Sequence, residues 1–266
     1  MTRLTLPAAT YPAFPEKVGE EGIVAPAEML AHRRRGGRLP QIAPPRGAVI
    51  CLERGLPEQM RRSVRVRQVG RLLGDLYSVR AHGDRVLVLA NFGLGAPAVA
   101  AQAEELIAMG ARRLVSVALC GGLQHDLLPG DVVVPDLAIR DEGTSHHYLP
   151  PSRDVAADPD LALALRRTLA GLGVTTRSGA VWSTDAPYRE TPAEVRALQA
   201  EGVLGVDMEL AALLAVARRR GVQAAGVLVA GDNLAGGEWQ PPVRLDEMRR
   251  SLQHAYRAAV EAVDVD

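Results

Sequence analysis

From Ala48 onward, short unbroken apolar runs alternate with longer stretches of helical periodicity. A segment that is apolar at every position has no polar face to offer water, so it reads as a strand buried on both faces. The expected strands are Ala48–Leu52, Val64–Val69, Leu76–Val79, Val86–Ala90, Arg113–Val117, Asp131–Val134, Val174–Val181 and Ala224–Val229. Helices are expected between them. Pro97–Met109 opens with Pro and stops at Gly110, which suits a left-handed cap. Asp160–Leu169 follows Asp-Pro, and Thr191–Ala200 carries the capping box of Thr191 with Glu194. Glu209–Arg220 ends at Gly221, and Leu245–Val263 closes the chain. This alternation predicts an α/β domain with a central, largely parallel sheet and helices on both faces.

Residues 1–46 break the rhythm. They are rich in Pro, Gly and charge, with Arg33-Arg34-Arg35-Gly36-Gly37 in the middle. They read as an N-terminal arm packed on a single domain of residues 47–266, and the arginine run reads as a solvated face. A chain of 266 residues can bury a large core without staples. Its 31 basic and 31 acidic residues cancel, which leaves no electrostatic footprint for nucleic acid or anionic membrane and points to a small-molecule partner. Two cysteines, Cys51 and Cys120, form no CxxC pair and suit a reducing cytoplasm. The opening MTRLTLPAATYPAFPEK has no apolar core of a secretory signal, and no run reaches the roughly 18–20 residues of a membrane span.

Ligands of open α/β sheets gather beyond the carboxyl ends of the strands. Four loops there hold unusual residues. Asn91-Phe92-Gly93-Leu94-Gly95-Ala96-Pro97 joins a strand to a helix, where glycines admit a ligand to the backbone and the helix start favours an anion. It is neither a dinucleotide fingerprint nor a P-loop. Ala118-Leu119-Cys120-Gly121-Gly122 pairs glycines after a buried strand. Cys120 has no activating neighbour and reads as a small buried residue rather than a nucleophile. Asp207-Met208-Glu209 admits two readings. A carboxylate can accept both hydrogens of a ribose diol with Met as an apolar floor, or Asp207 can cap the following helix. Gly231-Asp232-Asn233 follows an apolar run. An Asp at the end of a buried strand can serve as a partly desolvated acid, although Asp-Asn also suits a turn.

His146-His147 does not make a metal site, because adjacent residues of a strand point to opposite faces and no Cys/His cluster accompanies them. Ser145 lacks the G-x-S-x-G setting of a hydrolase nucleophile.

Taken in order, Gly93-Leu94-Gly95-Ala96-Pro97, Glu104-Glu105-Leu106, Gly110-Ala111, Cys120-Gly121-Gly122-Leu123-Gln124, Gly130-Asp131, Arg140–Ser145, Asp207-Met208-Glu209 and Gly231-Asp232 resemble the uridine phosphorylase and hexameric purine nucleoside phosphorylase family. The resemblance implies a single α/β domain around a mixed, partly barrel-like sheet flanked by helices. It also implies a homo-oligomer, a dimer or trimer of dimers, with active sites at a subunit interface. Glu209 resembles the carboxylate that grips the ribose hydroxyls, Met208 the residue under the sugar, and Asp232 the acid that protonates a leaving purine. By the same resemblance, Asp207, Gly95, Cys120, Gly121, Tyr188 and Arg189 border the substrate. No cofactor is implied beyond phosphate as co-substrate.

The chain departs from the family at the phosphate. The usual Arg and Ser/Thr before the Gly-Gly turn are Ser116 and Leu119, and Cys51-Leu52-Glu53-Arg54-Gly55 replaces the early phosphate loop. Arg54, Gly93 and Ser116 remain as candidate phosphate ligands. A bidentate Arg is hard to replace with Ser, which keeps water open as the nucleophile.

Overall fold

The computed structural model describes residues 11–265 apart from 13, 38, 40 and 41, and only the backbone at 61–63. Residues 1–10, part of the expected arm and of the stretch judged not to be a secretory signal, lie outside the described residues. A central sheet is built from β1 (Gly47–Cys51), β2 (Val66–Arg71), β3 (Asp75–Val79), β4 (Val86–Ala90), β5 (Arg113–Gly122), β6 (Val132–Val133), β7 (Leu137–Asp141), β8 (Asp154–Ala156), β9 (Thr176–Arg177), β10 (Ala180–Thr184), β11 (Gly205–Asp207) and β12 (Gln223–Asn233). The helices are α1 (Pro26–Arg35), α2 (Leu56–Val64), α3 (Ala96–Met109), α4 (Pro159–Gly171), α5 (Pro192–Ala200), α6 (Leu210–Arg220) and α7 (Leu245–Val263).

The strand order β2-β3-β4-β1-β5-β11-β10-β7-β8 mixes directions. β4, β1 and β5 run parallel, whereas β2–β3, β3–β4, β5–β11 and β7–β8 are antiparallel. The sheet is therefore mixed rather than largely parallel. The ten-residue β5 is its hinge. Along its first half β5 pairs with β1 on one edge and β12 on the other, so that Val115 lies between Val49 and Ala225. β1 stops at Cys51, and further along the same edge β11 takes over, pairing Val206 with Gly121. β12 stays paired with β5 as far as Asn233 opposite Gly122, and on its other edge it pairs with β6, which pairs with β9. This branching bends the sheet toward a barrel and leaves an opening beyond the end of β1.

The fully buried runs behave as their composition requires, and every residue of β1 and β4 is buried. Helices cover both faces of β12. A Cβ at Gly226 would meet Leu210 of α6 at 2.8 Å, and one at Gly231 would meet Met248 of α7 at 3.6 Å.

The described part of the N-terminal segment packs on the domain of its own chain. Tyr11 and Lys17 hydrogen-bond the two ring nitrogens of His147, Arg33 pairs with Glu105 at 2.7 Å, and Glu21 meets Arg219 and Arg220. The arginine run is thus only partly a solvated face, because Arg33 is drawn to a carboxylate that is itself nearly buried.

A candidate active site at the end of β5

The opening beyond β1 is a cavity of about 830 Å³. Each wall comes from a different strand end. Leu52 and Glu53 follow β1, Leu94 follows β4, Ala118–Gly121 end β5, Val206–Glu209 end β11, and Asp232 and Leu234 lie at the end of β12. Pro187, Tyr188, Glu190 and Pro192 before α5, with Gly237–Trp239, complete the rim. Because β1 and β12 flank β5 on opposite edges, Glu53 and Asp232 face the ligand space from opposite sides.

Glu209 is buried at the start of α6. Its Oε1 accepts from Gly95 N–H at 2.7 Å and its Oε2 from Met208 N–H at 3.2 Å. Gly95 has φ of 99°, a left-handed value that a side chain would strain, and this conformation aims its N–H at the carboxylate. Burial, and then the charge of Asp207, push the Glu209 carboxyl up to about 7. Asp207 is occupied with structure. Its Oδ1 accepts from the Ser183 hydroxyl at 2.5 Å, and its Oδ2 from Leu210 N–H at 2.8 Å and Glu209 N–H at 3.3 Å. Asp207 thus serves the start of α6, as the capping reading expects, while also bordering the cavity.

Asp232 is half-buried, and its Oδ2 accepts the indole N–H of Trp239 at 2.6 Å. Gly121 lacks a Cβ for a spatial reason. A Cβ there would come within 2.8 Å of Leu234 and 3.2 Å of Asp232 Oδ1. Cys120 borders the cavity, but burial, followed by the charges of Asp207 and Asp232, pushes its thiol well above the ordinary range. A thiol so held is no nucleophile.

Other candidates fall elsewhere. Tyr188 stands at the rim, 99% exposed, whereas Arg189 beside it is exposed and outside the lining. Gly93 lies in the loop whose Leu94 forms wall. Arg54 is exposed and outside the lining, although its loop is tied to that of Gly93 where Gly55 N–H donates to Asn91 Oδ1 at 3.3 Å. Ser116 is not brought to the cavity at all. It is 1% exposed inside the sheet and its hydroxyl has no partner among the described residues. The β5 residues that line the cavity are Ala118, Leu119, Cys120 and Gly121, further along the strand.

Glu53 was not singled out as a site residue by sequence, and Glu190 only as the end of the segment Tyr188-Arg189-Glu190 expected to line the base site. Burial raises Glu53, with Arg54 opposing the shift, and burial, then Asp232 and Glu194, push Glu190 up to about 7. The only signal in the sequence was position, after β1 and after Tyr188. With Asp207, Glu209, Asp232 and Glu238 they make six carboxylates among the described lining residues, which include no Lys, Arg or His.

The raised Glu190 carries a stability consequence. Its folded pKa of about 7 lies above the ordinary 4.5, so between these values the folded state keeps a proton that the unfolded state has lost. Stability therefore falls as pH rises through this window and is unaffected below it. Glu190→Gln should raise Tm at about pH 8 and leave it unchanged at about pH 4. Melting curves at the two pH values check this, and an equal change at both removes the shifted carboxyl.

Comparison with known proteins agrees with this architecture. The sequence model of the family described as "Phosphorylase superfamily" matches residues 50–264. The guanosine phosphorylase of Halorubrum lacusprofundi is 29% identical over 181 residues, covering 66% of this chain and 75% of its own length. The uridine phosphorylase of Escherichia coli is 25% identical over 240 residues, 81% of this chain and 91% of its own. A DeoD-type purine nucleoside phosphorylase of Bacillus cytotoxicus is 32% identical over 183 residues, 68% and 76% of the two chains. Among solved structures, the uridine phosphorylase of Vibrio fischeri superposes with a TM-score of 0.68 at 25% identity, covering 82% of this chain and 90% of that one.

Proposed function

Because the chain belongs to the phosphorylase superfamily, we propose that it cleaves the N-glycosidic bond of a nucleoside by phosphorolysis, releasing base and pentose 1-phosphate. The observation that carries this reading is the arrangement around β5, with the Met208–Glu209 pair between an acid side at Asp232 and a nucleophile side at Glu53 and Leu94. Glu209 grips the ribose diol through acceptor positions left over from its two backbone bonds, and Met208 lies against the sugar ring. Asp232 donates a proton to the departing base, which favours purine-type nucleosides because a purine offers N7 for protonation. General acid catalysis of this kind is worth about 10²–10⁴-fold in rate.

In this reading phosphate enters beside Arg54 and Gly93. Arg54→Ala should then raise the KM for phosphate and leave the KM for nucleoside unchanged, as initial rates at varied phosphate would reveal. Unchanged phosphate kinetics would take Arg54 out of the site.

Hydrolysis is the second reading, and the cation-free lining favours it. A phosphate placed among these carboxylates would meet repulsion that a water molecule does not. Glu53, half-buried on the nucleophile side, is then the group that accepts the water proton. A nucleoside panel assayed with and without phosphate, with analysis of the sugar product, decides between pentose 1-phosphate and free pentose.

The wider reading is of a cytoplasmic homo-oligomer, a dimer or trimer of dimers, that needs no metal or other cofactor and binds neither nucleic acid nor membrane. No described helix is long and apolar enough to cross a membrane. Residues 1–46 form an arm on one catalytic domain of residues 47–266.

A further inference from the structure

Trp239 combines two features that packing does not explain. It is 63% exposed, yet its indole N–H is spent on a carboxylate of the cavity at 2.6 Å. The loop that carries it is firmly held. Asn233 and Gln240 exchange backbone hydrogen bonds at 3.1 and 2.9 Å. The Asn233 side chain bonds the carbonyls of Gln124 and Leu127 and the N–H of Ala235, while Gln199 reaches the Ala235 carbonyl. Residues 233–240 thus form a closed loop anchored to the turn after β5 and to α5, and this closure returns residue 239 onto residue 232.

We propose that Trp239 is a positioning residue that fixes Asp232 for proton delivery, holding Oδ2 as an acceptor so that the transferable proton is favoured on Oδ1. This rests on the reading of Asp232 as the acid. Indole nitrogen donates and never accepts. A hydroxyl oxygen accepts more weakly than a carbonyl oxygen, so the indole bond to Oδ2 favours the proton of a protonated Asp232 on the other oxygen. Oδ1 is the oxygen beside Gly121, where the missing Cβ keeps it accessible from the cavity. In the reaction the Oδ1–H bond breaks and its proton passes to the base. The electrons of the C1′–N bond leave with the base, and the nucleophile bonds C1′. The carboxylate left behind is stabilised by the indole N–H already in place, a charge-assisted bond that needs no reorganisation. Solvent returns the proton after the base departs.

The test compares two substrates in three variants. One substrate is the natural nucleoside turned over fastest. The other is a ribosyl substrate whose leaving group needs no proton, a 7-methylated purine nucleoside or 4-nitrophenyl riboside. Trp239→Phe keeps an aromatic ring and removes the donor. It should lower kcat on the natural nucleoside roughly ten-fold, a fraction of the full general-acid effect, with KM little changed and the activated substrate nearly unaffected. Trp239→His restores a ring N–H and should recover most of the loss. A merely structural role for the loop would slow both substrates alike and would not respond to His. Equal losses, no loss, or failure of His to rescue would each overturn the proposal. Asp232→Asn in the same assay separates the two ideas. If it spares the activated substrate while Trp239→Phe does not discriminate, only the role of Trp239 falls. If Asp232→Asn slows both substrates equally, the acid reading itself falls.

Discussion

Glu209→Ala should lower kcat/KM at least a hundred-fold, a loss of about 2.7 kcal/mol in transition-state binding. The cost arises where the carboxylate meets the sugar, because an oxocarbenium-like transition state leans on the hydroxyls that Glu209 holds. The structure adds a second cost that sequence did not anticipate. Glu209 also satisfies the N–H groups of Gly95 and Met208, and a buried donor left without a partner costs about 1–3 kcal/mol of stability. Activity should therefore be compared well below the variant's Tm. Glu209→Gln keeps one acceptor oxygen but sets its amide N–H₂ against the other backbone N–H, so it should cost part of the stability that alanine costs. The ionised form is the better diol acceptor, and burial, then Asp207, push the free carboxyl up to about 7. Hence kcat/KM of the wild type should fall as pH drops below that value, and Glu209→Gln should lose this limb. Near-wild-type kinetics in the alanine variant, measured on folded protein, would remove the ribose assignment.

Asp232→Asn should abolish most turnover of nucleosides whose base must be protonated to leave. An amide preserves the shape and can still donate a weak hydrogen bond, but it cannot deliver a proton. The expected loss is about 10²–10⁴-fold on such substrates. On a 7-methylated purine nucleoside, whose base departs without protonation, the loss should be far smaller. The ratio of the two losses is the measurement. Equal losses would mean that Asp232 is not the acid, and the preference for purine-type nucleosides would fall with it. The variant should remain folded, because Asp232 is half-buried and the Asn side-chain oxygen can still accept the indole N–H of Trp239.

Both predictions act on residues that were visible as types at strand ends before any coordinates. Asp232 follows an apolar run, and Glu209 opens a helix. The strands β1 and β4 were legible because residues buried on both faces must be apolar at every position, and α7 because its apolar face recurs over 19 residues. Capping chemistry placed the start of α5 at Thr191, whose capping box is present. Where local pattern was short, the reading failed. β7 is the mixed sequence LAIRD and β8 has only 3 residues. Too few positions repeat there to separate a strand from a loop. Val174–Val181 looked continuous, yet Gly179 separates β9 from β10. The amphipathic α2, opening with Leu-Pro-Glu, was passed over between two apolar runs.

By itself, then, the sequence determined the elements whose residues must satisfy their surroundings locally: buried strands, capped helices, and carboxylates stationed where a strand gives way to a helix or turn. What only the tertiary structure decided is direction and company. Whether Ser116 faces a ligand depends on how far along β5 the cavity begins, since Ser116 is buried beside Gly226 while Ala118–Gly121 line the cavity. That Asp207 is spent on Ser183 and the start of α6, that Glu53 joins a site otherwise drawn from distant loops, and that Trp239 reaches back to Asp232 all follow from the branching of the sheet at β5. Such contacts join residues far apart in the chain, or across a loop closure, and their partners are chosen by packing rather than by any local preference of the backbone.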